Sequence, residues 1–218
     1  MEYNKFLSLY STEFLSNIDI GIHESMLNKF FSIFNEKDDL IFFDIGSNAG
    51  SFIKMTKIKC DAKIYAFEPH PFLNSFLKET YKDAIVEDYC VSNTNGYCEI
   101  NIPGLSVGLS SIINRKVFEG METSQGIEKL KKESITLDYY CKKNNIKKID
   151  YIKIDVEGAE YMVLDGCRNL LKNKIIKAGQ FEVGIEESGF STNNIINLLK
   201  EFDYNIEITD SNDYFFYK

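Results

Sequence analysis

Leu40-Ile41-Phe42-Phe43-Asp44-Ile45-Gly46-Ser47-Asn48-Ala49-Gly50 is the stretch on which the fold turns. Its first four residues are apolar without period-2 alternation, as in a parallel strand covered by helices on both faces. Glycines follow at once, where such a strand would surface. The pattern returns twice: Lys63-Ile64-Tyr65-Ala66-Phe67 runs into Glu68-Pro69, and a strand expected over 149–154 runs into Lys153-Ile154-Asp155-Val156-Glu157-Gly158-Ala159-Glu160. Ligands of open α/β sheets bind at the carboxyl ends of the strands, near the point where strand order reverses. The three stretches together therefore predict a nucleotide-cofactor cleft.

The glycine loop narrows the choice of cofactor. A dinucleotide fingerprint is G-x-G-x-x-G, whose second glycine lets the backbone approach a pyrophosphate. Here Asn48 takes that place and Gly50 comes one residue early, which points to a ligand without phosphates. Glu68 follows the loop at about the 20-residue separation of a ribose-binding carboxylate. A carboxylate there accepts from two vicinal hydroxyls and repels a 2′-phosphate, so adenosyl ligands fit and NADP does not. The loop alone would also be explained by a tight turn that binds nothing. Asp88, at the end of a strand expected from Ala84, is placed either to accept from an adenine amino group or to stabilise a turn.

These segments resemble the FkbM family of S-adenosylmethionine-dependent methyltransferases. The family pattern is an Asp-x-Gly-x-Asn-x-Gly loop, a Phe-Glu-Pro step, a Ser-Ser pair in a long connection, and a Leu-Asp followed by Lys-Ile-Asp-x-Glu-Gly-x-Glu. This chain carries Asp44 through Gly50, Phe67-Glu68-Pro69, Ser110-Ser111, Leu137-Asp138 and Lys153 through Glu160. The likeness covers roughly 40 to 185, and the last segment is its most specific part. It implies the class I methyltransferase architecture, a Rossmann-like doubly wound α/β sheet, mostly parallel with an antiparallel C-terminal hairpin strand. It implies S-adenosyl-L-methionine as cofactor, held by Asp44, Gly46, Ser47, Asn48, Gly50, Glu68 and Pro69, to which the strand-end position adds Asp88 as a candidate. It also implies methylation of hydroxyl groups, often on sugars or sugar-containing products.

Composition agrees with a compact enzyme of small ligands. The 218 residues carry 25 basic and 33 acidic side chains, a formal net charge of −8, so no basic face is evident for a nucleic-acid backbone. Lys129-Leu130-Lys131-Lys132 and Lys142-Lys143 are short and flanked by acids. A negative cleft would also concentrate a sulfonium cation. The five cysteines, Cys60, Cys90, Cys98, Cys141 and Cys167, show no metal or redox spacing and read as free thiols of a reducing cytoplasm. The N-terminus does not read as a secretion signal, and no apolar run approaches the ~18 residues of a membrane helix. The reading is a cytoplasmic enzyme with a small-molecule or carbohydrate acceptor, without a nucleic-acid partner or an integral membrane segment, and compatible with a homodimer.

Periodicity orders the chain as one methyltransferase domain over 1–218. Residues 1–36 read as helical, with Met26, Leu27, Phe30, Phe31 and Phe34 on one stripe. Strands are expected at 40–45, 63–67, from 84, at 149–154 and at 175–183, and helices after Gly50, at 71–81, 158–171 and 192–202. The alternation implies parallel βαβ units. Tyr204–Ile208 and Tyr214–Tyr217 are joined by a turn short enough to force an antiparallel pair. Residues 92–136 break the regularity, with a strand at 97–102, a Pro103-Gly104 turn and several glycines. An excursion of that length is usually functional or disordered, and it is expected to form an acceptor-side lid carrying the substrate-binding Ser110 and Ser111.

Methyl transfer from a sulfonium to an alcohol needs orientation, water exclusion and a base for the hydroxyl proton. The candidates are Asp155 and Glu157 after the fourth strand, Glu182 near the end of the fifth, and Lys153, which would either lower the acceptor hydroxyl's pKa or pair with an acid. Plainer duties compete: Glu157 and Glu160 flank a helix start, where the dipole favours carboxylates, and Lys153 could snorkel. His23 and His70 read as bystanders. Asp155 and Glu157 carry oxygens suited to Mg²⁺, but no metal constellation is recognisable. Two other classes stay open, an adenosyl- or NAD-binding oxidoreductase and a non-catalytic S-adenosylmethionine-binding module.

Overall fold

The computed structural model describes residues 20–35, 38–104, 107–114, 118, 126–182, 190–209 and 213–218. Helix α1 (Ile20–Ile33) precedes β1 (Leu40–Ile45), α2 (Ser51–Lys59), β2 (Ala62–Phe67), α3 (Pro71–Thr80) and β3 (Ile85–Glu87). After the middle segment come α4 (Leu137–Lys143), β7 (Ile149–Ile154), α5 (Glu160–Asp165), α6 (Arg168–Lys172), β8 (Ile176–Glu182), α7 (Thr192–Glu201), β9 (Asn205–Ile208) and β10 (Asp213–Tyr217). The main sheet has the order β3-β2-β1-β7-β8-β10-β9. Its first five strands pair in parallel, and β10 runs antiparallel to both β8 and β9. Strand order reverses beside β1, which pairs with both β2 and β7.

The unbroken apolar run of β1 has the cause expected of it. Phe43 and Ile45 face a core shared with Ile152, Ile154 and the helices α4 to α7, whereas Phe42 faces one built from Met26, Leu27 and Phe30 of α1, Phe52 of α2, Tyr151 and Phe215. Phe42 is fully buried and meets Phe30 edge-on with ring centroids 5.6 Å apart. Truncating such a ring to alanine costs about 3–5 kcal/mol. Helix starts follow their local chemistry: His70 caps α3 with Pro71 in its first turn, Thr136 caps α4, and Ser191 with Asn194 forms a reciprocal box at α7.

The sequence reading departs from the structure in three places. The helix expected over 158–171 breaks into α5 and α6 at Gly166, where an added Cβ would lie 2.2 Å from the Ser92 carbonyl oxygen. Close approach of that backbone sets the bend. The segment 92–136 is partly its own sheet, since β4 (Cys90–Val91), β5 (Gly96–Pro103) and β6 (Ile127–Ile135) pair in the order β4-β6-β5. Strand β6 was not foreseen, because five of its residues, Glu128, Lys129, Lys131, Lys132 and Glu133, are charged and neither face carries an apolar alternation. Helix α4 also escaped notice, being two turns long. The expected helix over 1–19, most of 115–125, the end of the 175–183 strand and the 210–212 turn lie outside the described residues.

Candidate active site

At the carboxyl ends of β1, β2 and β7 opens a cleft, the place where ligands of open α/β sheets bind. One wall is Gly46, Asn48, Glu68 and Pro69. The opposite wall is Asp155, Val156 and Glu157, and Gly108, Ser110 and Ser111 close it from the middle segment.

The glycine loop is shaped by left-handed backbone at Gly46 (φ 77°), Asn48 (φ 47°) and Gly50 (φ 84°). Asparagine tolerates that region better than most side chains, so Asn48 can stand where a glycine was expected. At Gly46 the requirement is absolute: an added Cβ would lie 1.8 Å from the Asp155 carbonyl oxygen. The backbone of the two cleft walls touches there, with the Asp155 amide donating to the Ile45 carbonyl at 3.0 Å. Ser47 is buried, its hydroxyl donating to the Asp44 carbonyl at 2.9 Å, and Gly50 packs under Tyr81 and Leu77. Both shape the loop and neither lines the cleft.

Glu68 is held from behind. One carboxylate oxygen accepts the Asn48 amide at 2.7 Å and the other the His70 amide at 2.8 Å. Burial pushes its pKa up to about 7 against those two donated hydrogen bonds. Each oxygen keeps a second lone pair, so the group remains able to accept from a pair of vicinal hydroxyls.

Under the floor lies a buried charge cluster. Lys153 donates to the Gly46 carbonyl at 2.5 Å and stands 3.3 Å from both an Asp44 and an Asp155 carboxylate oxygen. Burial opposes its charge, but the two carboxylates outweigh burial and raise its pKa above lysine's ordinary value. Lys153 is thus a fixed ammonium that joins the two walls, neither a base nor a snorkelling side chain. Asp44 is fully buried, and neither of its carboxylate oxygens receives a hydrogen bond among the described residues. Burial raises its pKa while Lys153 opposes the rise. Its counter-charge is the Lys153 ammonium, so the pair ties β1 to β7 beneath the cleft.

The acid loop after β7 holds Glu157 at φ 56° and Gly158 at φ 102°. A left-handed non-glycine residue costs on the order of 1–3 kcal/mol and persists only where its surroundings impose it. Glu160 helps impose it: buried, it accepts the Val156 amide at 3.0 Å and the Gly158 amide at 3.1 Å with one oxygen, and burial raises its pKa to about 7. Ser111 donates to the Glu157 carbonyl at 2.8 Å and accepts the Ile113 amide at 3.0 Å. Glu182, at the exposed end of β8, stands outside the cleft lining. Partial burial, then the charges of Asp155, Asp213, Glu157 and Glu160, push its pKa up to about 7.

Of the residues singled out from sequence, the cleft therefore gathers Gly46, Asn48, Glu68, Pro69, Asp155, Glu157, Ser110 and Ser111. Asp44, Ser47, Gly50 and Lys153 support it. Asp88 stands apart, because its carboxylate pairs with Lys132 at 2.7 Å and is more than half exposed. The residues after β3 that do line the cleft are Tyr89, Cys90 and Val91, which sequence reasoning missed although they directly follow a strand end. His70 caps α3 and His23 meets Ser51 at 3.0 Å beside Phe52. Burial lowers their pKa values to about 4 and about 3, so both are neutral. Among the described residues no group of three His, Cys, Asp or Glu gathers for a metal ion, and no helix is long and apolar enough to cross a membrane. The five cysteines are free thiols.

Comparison with known proteins agrees with this geometry. A hexuronic acid methyltransferase, AglP of Haloferax volcanii, is 28% identical over 184 residues, spanning 81% of this chain and 68% of its own. An S-adenosylmethionine-dependent methyltransferase from Clostridium acetobutylicum superposes with a TM-score of 0.52 at 12% identity, covering 99% of this chain and 98% of that one. A Methanococcus maripaludis protein superposes with a TM-score of 0.51 at 12% identity, over 100% and 94% of the two chains. Both superpositions establish the class I methyltransferase fold. The methyltransferase FkbM domain model matches residues 44–206, from the first acid of the glycine loop into β9, and the chain belongs to that family.

Proposed function

We propose that the chain is an O-methyltransferase acting on a hydroxyl of a sugar or sugar-containing substrate, with residues 1–218 as one catalytic domain and 92–136 as its acceptor-side cover. The observation that carries the reading is that Glu68, Asp155 and Glu157 line one cleft. One wall offers a ribose acceptor and the other a base. The cofactor is S-adenosylmethionine, which supplies an electrophilic methyl group when bound. Glu68 accepts from the ribose hydroxyls, and Asp44, paired with Lys153 at 3.3 Å, holds the loop from beneath the cleft floor. Gly46 lets the loop backbone approach closely where any side chain would collide with Asp155.

Glu157 is the proton acceptor in this reading. It lines the cleft from the loop beyond the strand end, and Asp155, 3.3 Å from Lys153, holds the site. A base so positioned contributes about 10²–10⁴-fold. The name of the Haloferax volcanii relative, a hexuronic acid methyltransferase, supports a sugar acceptor. The test is release of S-adenosylhomocysteine across free sugars, hexuronic acids, nucleotide-activated sugars and glycans. Turnover on none of the panel, or a methyl group found by NMR on an atom other than a hydroxyl oxygen, would sink the sugar hydroxyl-methylation reading.

A further inference from the structure

We propose that Ser111 and Glu160 form a two-sided clamp that aims Glu157, so that Ser111 is a positioning residue for the acid loop and not a hydroxyl donor to the acceptor. This rests on the reading of Glu157 as the proton acceptor.

The loop 155–158 is held on both polar sides of its backbone. From the α5 side, one oxygen of Glu160 takes the Val156 and Gly158 amides. From the middle segment, the Ser111 hydroxyl gives its single hydrogen to the Glu157 carbonyl at 2.8 Å. A serine hydroxyl has one donor and two acceptor positions, and the Ile113 amide already occupies one of the latter. Its hydrogen is therefore unavailable to a bound hydroxyl. Ser111 is buried, and its own backbone is pinned to Asn101 of β5 by two hydrogen bonds, 2.9 and 3.1 Å long. The second sheet thus anchors the clamp, and the clamp grips the one residue of the acid loop that is left-handed without being glycine. Left-handed backbone at such a residue relaxes when its restraints go. Releasing Glu157 would swing its carboxylate relative to Asp155, Glu160, Glu182 and Asp213, the charged neighbours gathered at that end of the sheet.

The experiment compares Ser111→Ala, Ser111→Thr and Glu160→Gln in the full chain by NMR, with S-adenosylhomocysteine as the binding probe. Amide exchange of Val156 and Gly158 should quicken roughly tenfold in Ser111→Ala, the loss of about one hydrogen bond, and return in Ser111→Thr, which keeps the hydroxyl. The titration of the Glu157 side-chain carboxyl, followed by its ¹³C shift, should move in Ser111→Ala and be restored in Ser111→Thr. Glu160→Gln retains an acceptor oxygen without the charge, so it should quicken the same two amides and remain folded. Affinity for S-adenosylhomocysteine should stay within about threefold of wild type in all three. Unchanged exchange and an unchanged Glu157 titration in Ser111→Ala would overturn the clamp, as would a tenfold loss of S-adenosylhomocysteine binding with the acid loop intact. None of these readouts uses an acceptor, so failure of the sugar assay and failure of the clamp are separate results.

Discussion

The two walls of the cleft solve one problem in different ways. Each is a loop leaving a buried parallel strand, and each needs left-handed backbone, at Gly46, Asn48 and Gly50 on one side and at Glu157 and Gly158 on the other. The glycine loop is held by sterics: at Gly46 a Cβ would strike backbone at 1.8 Å, and at Gly50 it would strike side chains at 2.4 Å. Around Gly158 an added Cβ meets nothing within 4 Å, and the acid loop keeps its shape through the side chains of Glu160 and Ser111. A loop set by sterics tolerates no substitution at its contact points. A loop set by hydrogen bonds can be loosened one bond at a time.

The largest expected effect separates the two acids of the second wall. Glu157→Gln should lower turnover about 10²-fold or more with S-adenosylhomocysteine binding and melting temperature near wild type. Asp155→Asn should reduce turnover and also the melting temperature, because it removes one of two carboxylates from a buried ammonium. Calorimetry beside the turnover assay distinguishes them, and equal thermal behaviour would mean that Asp155 does not hold Lys153 in place.

Glycine replacements probe the comparison directly. Gly46→Ala should cost about 3 kcal/mol or more, since backbone must move as well as strain, and should abolish stabilisation by S-adenosylhomocysteine. Gly158→Ala carries only the left-handed penalty of roughly 1–2 kcal/mol and should spare binding. Denaturant melts of the two variants give the ranking, and a reversed order would break the distinction between the walls.

On the first wall, S-adenosylhomocysteine at 100 times its dissociation constant should add about 2.7 kcal/mol, several degrees at roughly 2–4 °C per kcal/mol, whereas NAD adds nothing. Glu68→Ala should remove most of that shift. The free-state pKa of Glu68 is about 7, and ribose hydroxyls donate to its ionised form, so binding should release a proton below pH 7. Titration calorimetry should then show affinity level above pH 7 and falling as pH drops beneath it. A pH-independent affinity would remove Glu68 from the ribose.

The smallest effect is on the unliganded protein. Glu160 has a folded pKa of about 7 against an ordinary 4.5. Its protonated form is the one the fold prefers, so its stabilising contribution is complete below pH 4.5 and lost as pH rises through 7. Glu160→Gln lacks that titration. The stability of the variant relative to wild type should rise from pH 5.5 to pH 8 by on the order of 1 kcal/mol, read from denaturant melts at the two pH values. A flat difference would show that the buried carboxyl is not strained by ionisation.

Much of this was legible in the chain itself. The unalternated apolar run of 40–43, the glycine-rich step after it and the acid at position 68 follow from local rules of burial, backbone freedom and spacing, and each sits in the structure where those rules put it. The C-terminal antiparallel pair likewise follows from a short connection. Tertiary structure alone decided what the charged residues do. Lys153 reads equally as snorkelling or pairing until β1 is laid beside β7 and brings it to Gly46, 107 positions away in sequence. Ser111 reaches the Glu157 carbonyl, 46 positions away, only because the second sheet carries it there. Asp88 looks like a cofactor ligand until β6 brings Lys132 to it, 44 positions away. Backbone conformation is governed by neighbours in sequence, whereas the partner of a long polar side chain is chosen by whatever strand the sheet places next to it.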